Sequence, residues 1–288
     1  MIPNAFDYYS PTTVEETIGL LQKYGYEAKI LAGGQSLLPM MKLRVAMPSV
    51  LVDINHIDDL HGWREENGYL RIGALTRHVD LENEQHLKES YPLLSKTAEW
   101  IADVPVRNRG TICGSLVHAD PSSDWGAAMI ALHADVEVIG PSGIRRVFID
   151  DFFVDTFTAS LEMDEIASAV LIPSPIGRVG ARYMKLERKA GDFAIVGVAL
   201  HVIKANDGTV LDSGIGLCAC GDVPVRAKKA EEWLIGRPLD KETIKQASLL
   251  AQEDANPATD LRGSAEYKRD LVRVFVKRGL EEIADELR

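Results

Sequence analysis

The chain has 288 residues and a formal net charge of −11. That length supports a sizeable core divided among two or three lobes, and the acidic balance argues against nucleic acid and anionic membrane surfaces as partners. Hydrophobic residues make up 46% and charged residues 26%, which excludes disorder over any large part of the chain. Three cysteines, Cys113, Cys218 and Cys220, are too few and odd in number for a disulfide framework. The opening MIPNAFDYYSPTT has neither the basic nor the apolar region of a signal peptide. No apolar run reaches membrane-spanning length, so the cytoplasm is the expected compartment.

In chain order, Thr12-Thr13-Val14-Glu15 has capping-box spacing, with Thr12 as the expected N-cap. Ile18, Leu20, Leu21 and Tyr24 give that helix an apolar face, and Gly25 is its natural C-cap. Ala28 to Ala32 reads as a buried strand, and Val50 to Ile54 as a second, so residues 1–56 form a small α/β lobe. A middle lobe, 57–173, carries a strand at Tyr69 to Gly73 and a helix at Leu93 to Ile101. It also carries a hairpin that turns at Gly140-Pro141-Ser142-Gly143. Pro173-Ser174-Pro175-Ile176-Gly177 is the best linker. The third lobe, 178–288, has strands at Ala181 to Leu186, Ala199 to Ile203 and Gly214 to Ala219, then helices. The last helix is long and is capped by Ser264, with Val272, Val274, Phe275 and Leu280 on its apolar side.

Two segments carry candidate chemistry. Gly33-Gly34-Gln35-Ser36 follows the first buried strand directly, and paired glycines let the backbone turn sharply, approach a ligand and converge N–H groups on a phosphate. It is neither a dinucleotide-binding G-x-G-x-x-G nor a P-loop, and an ordinary glycine turn has the same residues. Arg107-Asn108-Arg109-Gly110-Thr111-Ile112-Cys113-Gly114-Ser115-Leu116 repeats the logic, so the two loops could clasp a diphosphate. Downstream, Asp120 or Asp124 could accept hydrogen bonds from a ribose. Asp120-Pro121-Ser122 serves equally as a turn capping the helix near Trp125. Cys218-x-Cys220 is too short for a zinc site and reads as core strand.

Taken together, Ala32 to Ser36 and Thr111 to Ser115 resemble the two FAD-binding loops of the carbon monoxide dehydrogenase medium subunit and its relatives in the xanthine oxidase family. The resemblance covers nearly the whole chain. It includes Phe6-Asp7-Tyr8, Arg107-Asn108-Arg109-Gly110, His118-Ala119-Asp120-Pro121 and Arg188-Lys189-Ala190-Gly191-Asp192-Phe193. It implies an α+β fold, a two-lobe FAD-binding unit of the vanillyl-alcohol-oxidase type followed by a C-terminal α/β lobe that covers the flavin. In such proteins the segment matching Lys29, Ile30, Leu31, Ala32, Gly33, Gly34, Gln35 and Ser36, with that matching Thr111, Ile112, Cys113, Gly114 and Ser115, holds the diphosphate. The position matching Asp124 reaches the adenosine half, and those matching Ala102, Leu161 and Lys185 lie along the flavin.

Beside that resemblance, Lys185 would stabilise the reduced flavin as a nearby cation, or else is a solvated strand lysine. Phe193 would cover one face of the ring. Cys113 is either an oxidisable flavin contact or, more in keeping with its residue type, a small buried hydrophobe. Carbon monoxide dehydrogenase relatives usually carry His at Gln35 and Gly-Gly-Asn at Cys113-Gly114-Ser115. The residues present look more like the flavoproteins of N-heterocycle hydroxylases, which weakens the case for carbon monoxide as substrate.

The expected function is electron transfer. The chain lacks the four thiolates of a two-iron centre and the length for a molybdenum domain. The resemblance therefore places 2Fe-2S clusters on a small partner subunit and the molybdenum cofactor on a large one, in a dimer of heterotrimers. A stand-alone oxidase on the same scaffold would need a base beside the ring, and no His/Tyr/Arg constellation in the third lobe stands out for it. A non-catalytic nucleotide-binding regulator is the remaining alternative.

Overall fold

Residues 2–288 are described by a computed structural model. The first lobe comprises β1 (Asp7–Tyr9), α1 (Val14–Tyr24), β2 (Ala28–Leu31), α2 (Leu37–Lys42) and β3 (Val50–Asp53). β3 is central and pairs in parallel with both β1 and β2. Its Val50, Leu51 and Val52 are all buried, the unbroken apolar run that a strand covered on both faces requires. The N-cap of α1 is Thr13, not Thr12. Two adjacent threonines offer two capping frames. The frame used lets Thr13 accept from the Glu16 N–H at 3.1 Å while Glu16 reaches back to the Thr12 N–H at 2.9 Å. Gly25 closes the helix at φ +53°, as its residue type suggests.

The middle lobe begins with β4 (Trp63–Glu66) and β5 (Tyr69–Gly73). Six helices follow: α3 (His78–Asn83), α4 (Gln85–Ser90), α5 (Pro92–Ala98), α6 (Val104–Arg107), α7 (Ile112–His118) and α8 (Asp124–Ala131). Then come β6 (Asp135–Gly140), β7 (Gly143–Phe148), α9 (Ile149–Phe152), a ribbon of β8 (Phe153–Asp155) and β9 (Thr158–Ala159), and β10 (Ile166–Pro173). The large sheet is antiparallel, in the order β4-β5-β10-β6-β7. Pro141 and Ser142 form the turn of the β6–β7 hairpin. Arg71 and Ser168 both donate to the Glu137 carboxylate at 2.8 Å, so a charge inside the sheet is paired on two sides. The helix expected to reach Ile101 ends at Ala98, which leaves Trp100 to Ala102 as irregular chain.

The third lobe contains β11 (Arg178–Leu186), β12 (Val196–Lys204), β13 (Val210–Cys218), β14 (Val225–Arg226), α10 (Lys228–Leu234), α11 (Lys241–Asp254) and α12 (Ala265–Glu286). The strands form one antiparallel sheet in chain order. Alternation divides β12 between two layers. Val198, Leu200 and Val202 pack with Val272, Val276 and Leu280 of α12, while Ala199 joins the core of the middle lobe with Trp125 and Ala128. Ser264 caps α12 by accepting from the Tyr267 N–H at 3.1 Å.

One contact sets the relation between the lobes. A Cβ on Gly214 or Gly216 of β13 would lie 1.9 Å from the carbonyl of Ala131 or Ala127. The backbone of α8 therefore rests directly on β13, at a distance only glycine permits. This places the N-terminal residue of α8, Asp124, beside β11. Among the described residues, no helix is long and apolar enough to cross a membrane.

Candidate functional site

The chain leaves β2 at Leu31 and turns through Ala32–Ser36 into α2. Gly34 adopts φ +72°, which favours glycine. Four of the five carbonyls of this loop, all but that of Gln35, are held by the protein. Ala32 accepts from Asn55 Nδ2 at 2.8 Å, Gly33 from Gln35 Nε2 at 3.2 Å, Gly34 from Leu38 N at 3.2 Å, and Ser36 from Met40 N at 3.1 Å. The N–H groups of Gly33, Gly34, Gln35 and Ser36 have no protein acceptor among the described residues. A half-exposed loop with most of its acceptors engaged and its donors free suits an anion, even on an acidic chain.

The second loop differs. Thr111 caps α7, accepting from Gly114 N at 3.2 Å through its hydroxyl and from Ser115 N at 3.0 Å through its carbonyl. The N–H groups of Ile112 and Cys113 go to the carbonyls of Thr76 and Ala74. The two loops are thus not equivalent donors. Ser115 shares a 2.8 Å hydroxyl hydrogen bond with Ser123, just before Asp124. Protein atoms also crowd both glycines. A Cβ on Gly33 would meet Arg109 O at 2.4 Å, and one on Gly114 would meet Thr111 Oγ1 at 2.5 Å. Both glycines make room for the protein's own chain.

Beneath the second loop lies His78, buried, with Trp125 Nε1 donating to its Nδ1 at 3.0 Å. Burial, helped by the charges of Arg77 and Arg107, lowers its pKa to about 3. Its ring abuts Gly110, where a Cβ would come within 2.6 Å of Nε2.

Asp124 and Lys185 meet. Lys185 Nζ lies 3.1 Å from Asp124 Oδ2, 3.0 Å from Trp100 O and 3.4 Å from Glu187 Oε2, with the lysine side chain 1% exposed. Trp100 O and Asp124 Oδ2 accept hydrogen bonds from the ammonium, and Glu187 adds a second nearby negative charge. Tyr183 donates to Asp124 Oδ1 at 2.5 Å. Burial raises the Asp124 pKa, opposed by Lys185 and Tyr183, while burial and Asp124 push Tyr183 well up. Lys185 is therefore not a solvated strand lysine, and it is not a free cation either, because two carboxylates flank it. Asp124 and Lys185, expected at the adenosine half and along the flavin, are thus a directly bonded pair.

Ala102, at φ +46°, lies against Gly191, whose Cβ would be 3.1 Å from Ala102 O. Lys185, Ala102 and the chain leading to Phe193 are thus drawn together. Phe193 is 43% exposed, with its carbonyl held by Arg262 at 2.9 Å. Leu161 is half-buried and packs on the middle-lobe core, just after the ribbon that lies beside α7. On β2, Lys29 is exposed while Ile30 and Leu31 are half-buried. Asp120 makes a turn, accepting from Ser122 N at 2.8 Å, and α8 begins at Asp124.

Two family models cover this architecture. The FAD-binding domain of molybdopterin dehydrogenases matches residues 4–175, and the carbon monoxide dehydrogenase flavoprotein C-terminal domain matches residues 181–283. The chain belongs to the FAD-binding subunits of the molybdopterin dehydrogenases. It is 41% identical over 280 residues to the carbon monoxide dehydrogenase medium chain of Hydrogenophaga pseudoflava, covering 97% of each. It is 33% identical to caffeine dehydrogenase subunit beta of Pseudomonas sp. (strain CBB1), covering 100% of this chain and 97% of that one. Carbon monoxide dehydrogenase from Hydrogenophaga pseudoflava superposes with TM-score 0.94 at 42% identity, covering 98% of both chains. Quinoline 2-oxidoreductase from Pseudomonas putida 86 superposes with TM-score 0.91 at 31% identity, covering 99% of both. Identity is higher to the carbon monoxide dehydrogenases, the reverse of what Gln35 and Gly114-Ser115 suggest.

The residues fit the FAD of this family, since the free donors of Gly33 to Ser36 suit its diphosphate. Cys113 is a buried hydrophobe, 3% exposed, its thiol pushed up to about 12 by burial. Cys218 is likewise pushed up to about 12, and Cys220 is also raised. Sequence reasoning missed Asn55, Arg77, His78 and Tyr183. Signals existed for two of them. Asp53-x-Asn55 after a strand has Asx-turn spacing, and Tyr183 shares a strand face with Lys185.

Proposed function

We propose that this chain holds one FAD non-covalently and is the electron-transfer subunit of a heteromeric molybdenum hydroxylase. It receives electrons from iron–sulfur clusters on a small partner and passes them to an external acceptor. A large molybdenum subunit oxidises the substrate, and the whole is a cytoplasmic dimer of heterotrimers. Bound FAD supplies the redox chemistry, accepting electrons singly and releasing them as a pair. The observation that carries the reading is the loop of free N–H groups from Gly33 to Ser36 with the carbonyls of Ala32, Gly33, Gly34 and Ser36 engaged.

The chain's own residues then have defined tasks. Gly33 to Ser36 bind the diphosphate, with Lys29 to Ala32 leading into them. Thr111 to Ser115 form the opposing wall. Lys185 balances Asp124 and Glu187, and with Ala102 and Leu161 it bounds the ring end. Phe193 limits access from the third lobe. Three cysteines cannot ligate a two-iron centre, which supports placing the clusters elsewhere.

The test is purification of the native complex and of the isolated chain. Acid should release one FAD per chain, and the complex should contain iron, molybdenum and two further subunits. Cross-linking should join this chain to a small cysteine-rich subunit at an edge between the middle and third lobes. The isolated chain should bind FAD yet not turn over the substrate of its complex. Rapid turnover by the isolated chain would instead make it a stand-alone oxidase.

A further inference from the structure

Behind the two glycine loops runs a hydrogen-bonded relay that links them. Asp53, at the end of β3, accepts from Tyr8 Oη at 2.6 Å, from Asn55 N at 2.9 Å and from Asn55 Nδ2 at 2.6 Å. The same Asn55 Nδ2 donates to Ala32 O at 2.8 Å. Asn55 Oδ1 accepts from Arg77 Nη2 at 2.6 Å, and Arg77 Nη1 donates to Arg109 O. Arg109 O is also the atom against which Gly33 packs. One relay therefore grips a carbonyl in each loop, next to the point where the loops touch.

The consequence follows from peptide geometry. In a trans peptide the C=O of one residue and the N–H of the next point in opposite directions, and there is no cis peptide among the described residues. Holding the Ala32 carbonyl inward therefore turns the Gly33 N–H outward, to the side where none of the described residues accepts it. The guanidinium of Arg77 bonds two acceptors at once with its planar fork, a geometry lysine does not reproduce.

We propose that Asn55 and Arg77 are positioning residues for the diphosphate. Asn55 aims the Gly33 N–H by holding the Ala32 carbonyl, and Arg77 fixes that peptide against the second loop. The proposal rests on the flavin reading above. It is tested by titrating the full-length apo-chain with FAD, with ADP, which carries the diphosphate without the flavin, and with riboflavin, which carries the flavin without phosphate.

Asn55→Ala should weaken FAD and ADP by a common factor of roughly fivefold to tenfold, as for one oriented hydrogen bond. Riboflavin binding should be unchanged. Arg77→Lys should do the same and add little in the Asn55→Ala background, because the two residues act as one unit. Equal losses for all three ligands would overturn the proposal, since the relay would then only hold the fold. Unchanged FAD affinity in Arg77→Lys and in whichever Asn55 variant folds would overturn it too. An unaltered chain that bound no FAD would instead sink the flavin reading on which it rests.

Discussion

Lys185 Nζ lies 3.1 Å from Asp124 Oδ2 and joins the third lobe to the first turn of α8 in a buried ion pair. Glu187 lies on the other side of the same ammonium, 3.4 Å away. The two partners are therefore not interchangeable. Lys185→Met leaves two carboxylates with no shared cation, and removing one member of a buried pair costs about 3–5 kcal/mol. Asp124→Asn keeps an acceptor for Tyr183 and leaves Lys185 with Glu187 and Trp100 O, so its cost should be clearly smaller. Urea unfolding of the full chain measures both. A larger loss in Asp124→Asn would show that Glu187 takes no part.

Acid should destabilise the chain through two histidines. His78 is held at about 3 and His201 at about 4, both by burial, against an ordinary value of 6.5. Below 6.5 the unfolded chain takes up protons that the folded chain refuses. Stability from these groups is thus complete above that pH and is lost as pH falls toward the folded values. The slope per histidine is about 1.4 kcal/mol per pH unit within that window. His78→Gln, which keeps an acceptor for Trp125, should remove one proton's worth of slope between pH 6 and pH 5. Because His78 supports Gly110, flavin release on acidification should shift to lower pH in the same variant. An unchanged slope in the urea midpoints would show that His78 is not the titrating group.

These relationships divide what the sequence encodes locally from what it does not. The Gly25 and Ser264 caps and the β6–β7 turn are decided within a few residues and were legible, whereas β2, read as a buried strand, is buried only at Ala28. The α1 frame was not, because Thr12 and Thr13 satisfy the same local rule. The surroundings of Lys185 were also out of reach. Its partner is 61 positions away, and they meet only because Gly214 and Gly216 let the α8 backbone settle on β13. Asn55 and Arg77 stayed hidden for the same reason: 22 residues separate them, and neither belongs to a glycine motif.

The thiols should be silent in the native protein. Cys113 and Cys218 are pushed up to about 12, so almost no thiolate exists at neutral pH, and Cys220 is raised as well. Only the thiolate alkylates readily. Mass spectrometry after iodoacetamide treatment at pH 8 should show all three unmodified in the folded chain and all three modified in denaturant. Fast alkylation of Cys113 that FAD suppresses would place that sulfur at the cofactor.

The glycine substitutions should rank by what each Cβ strikes. On Gly33 it would sit 2.4 Å from Arg109 O and 2.8 Å from Gly110 Cα, both backbone, with that carbonyl also gripped by Arg77. Neither can move without parting the loops, so Gly33→Ala should lose at least roughly tenfold in FAD affinity, or about 1.4 kcal/mol. On Gly114 the obstacle is Thr111 Oγ1 at 2.5 Å. That hydroxyl can rotate away, but α7 then loses its cap, at a cost of about 1 kcal/mol. On Gly34 the nearest atom is the flexible tip of Leu38 at 2.9 Å, and the main cost is the left-handed backbone at φ +72°, about 1 kcal/mol. FAD content on purification and fluorescence titration should therefore place Gly33→Ala well below Gly114→Ala and Gly34→Ala. Full FAD binding by Gly33→Ala would mean that the two loops need not touch, and the site's geometry would have to be built on the first loop alone.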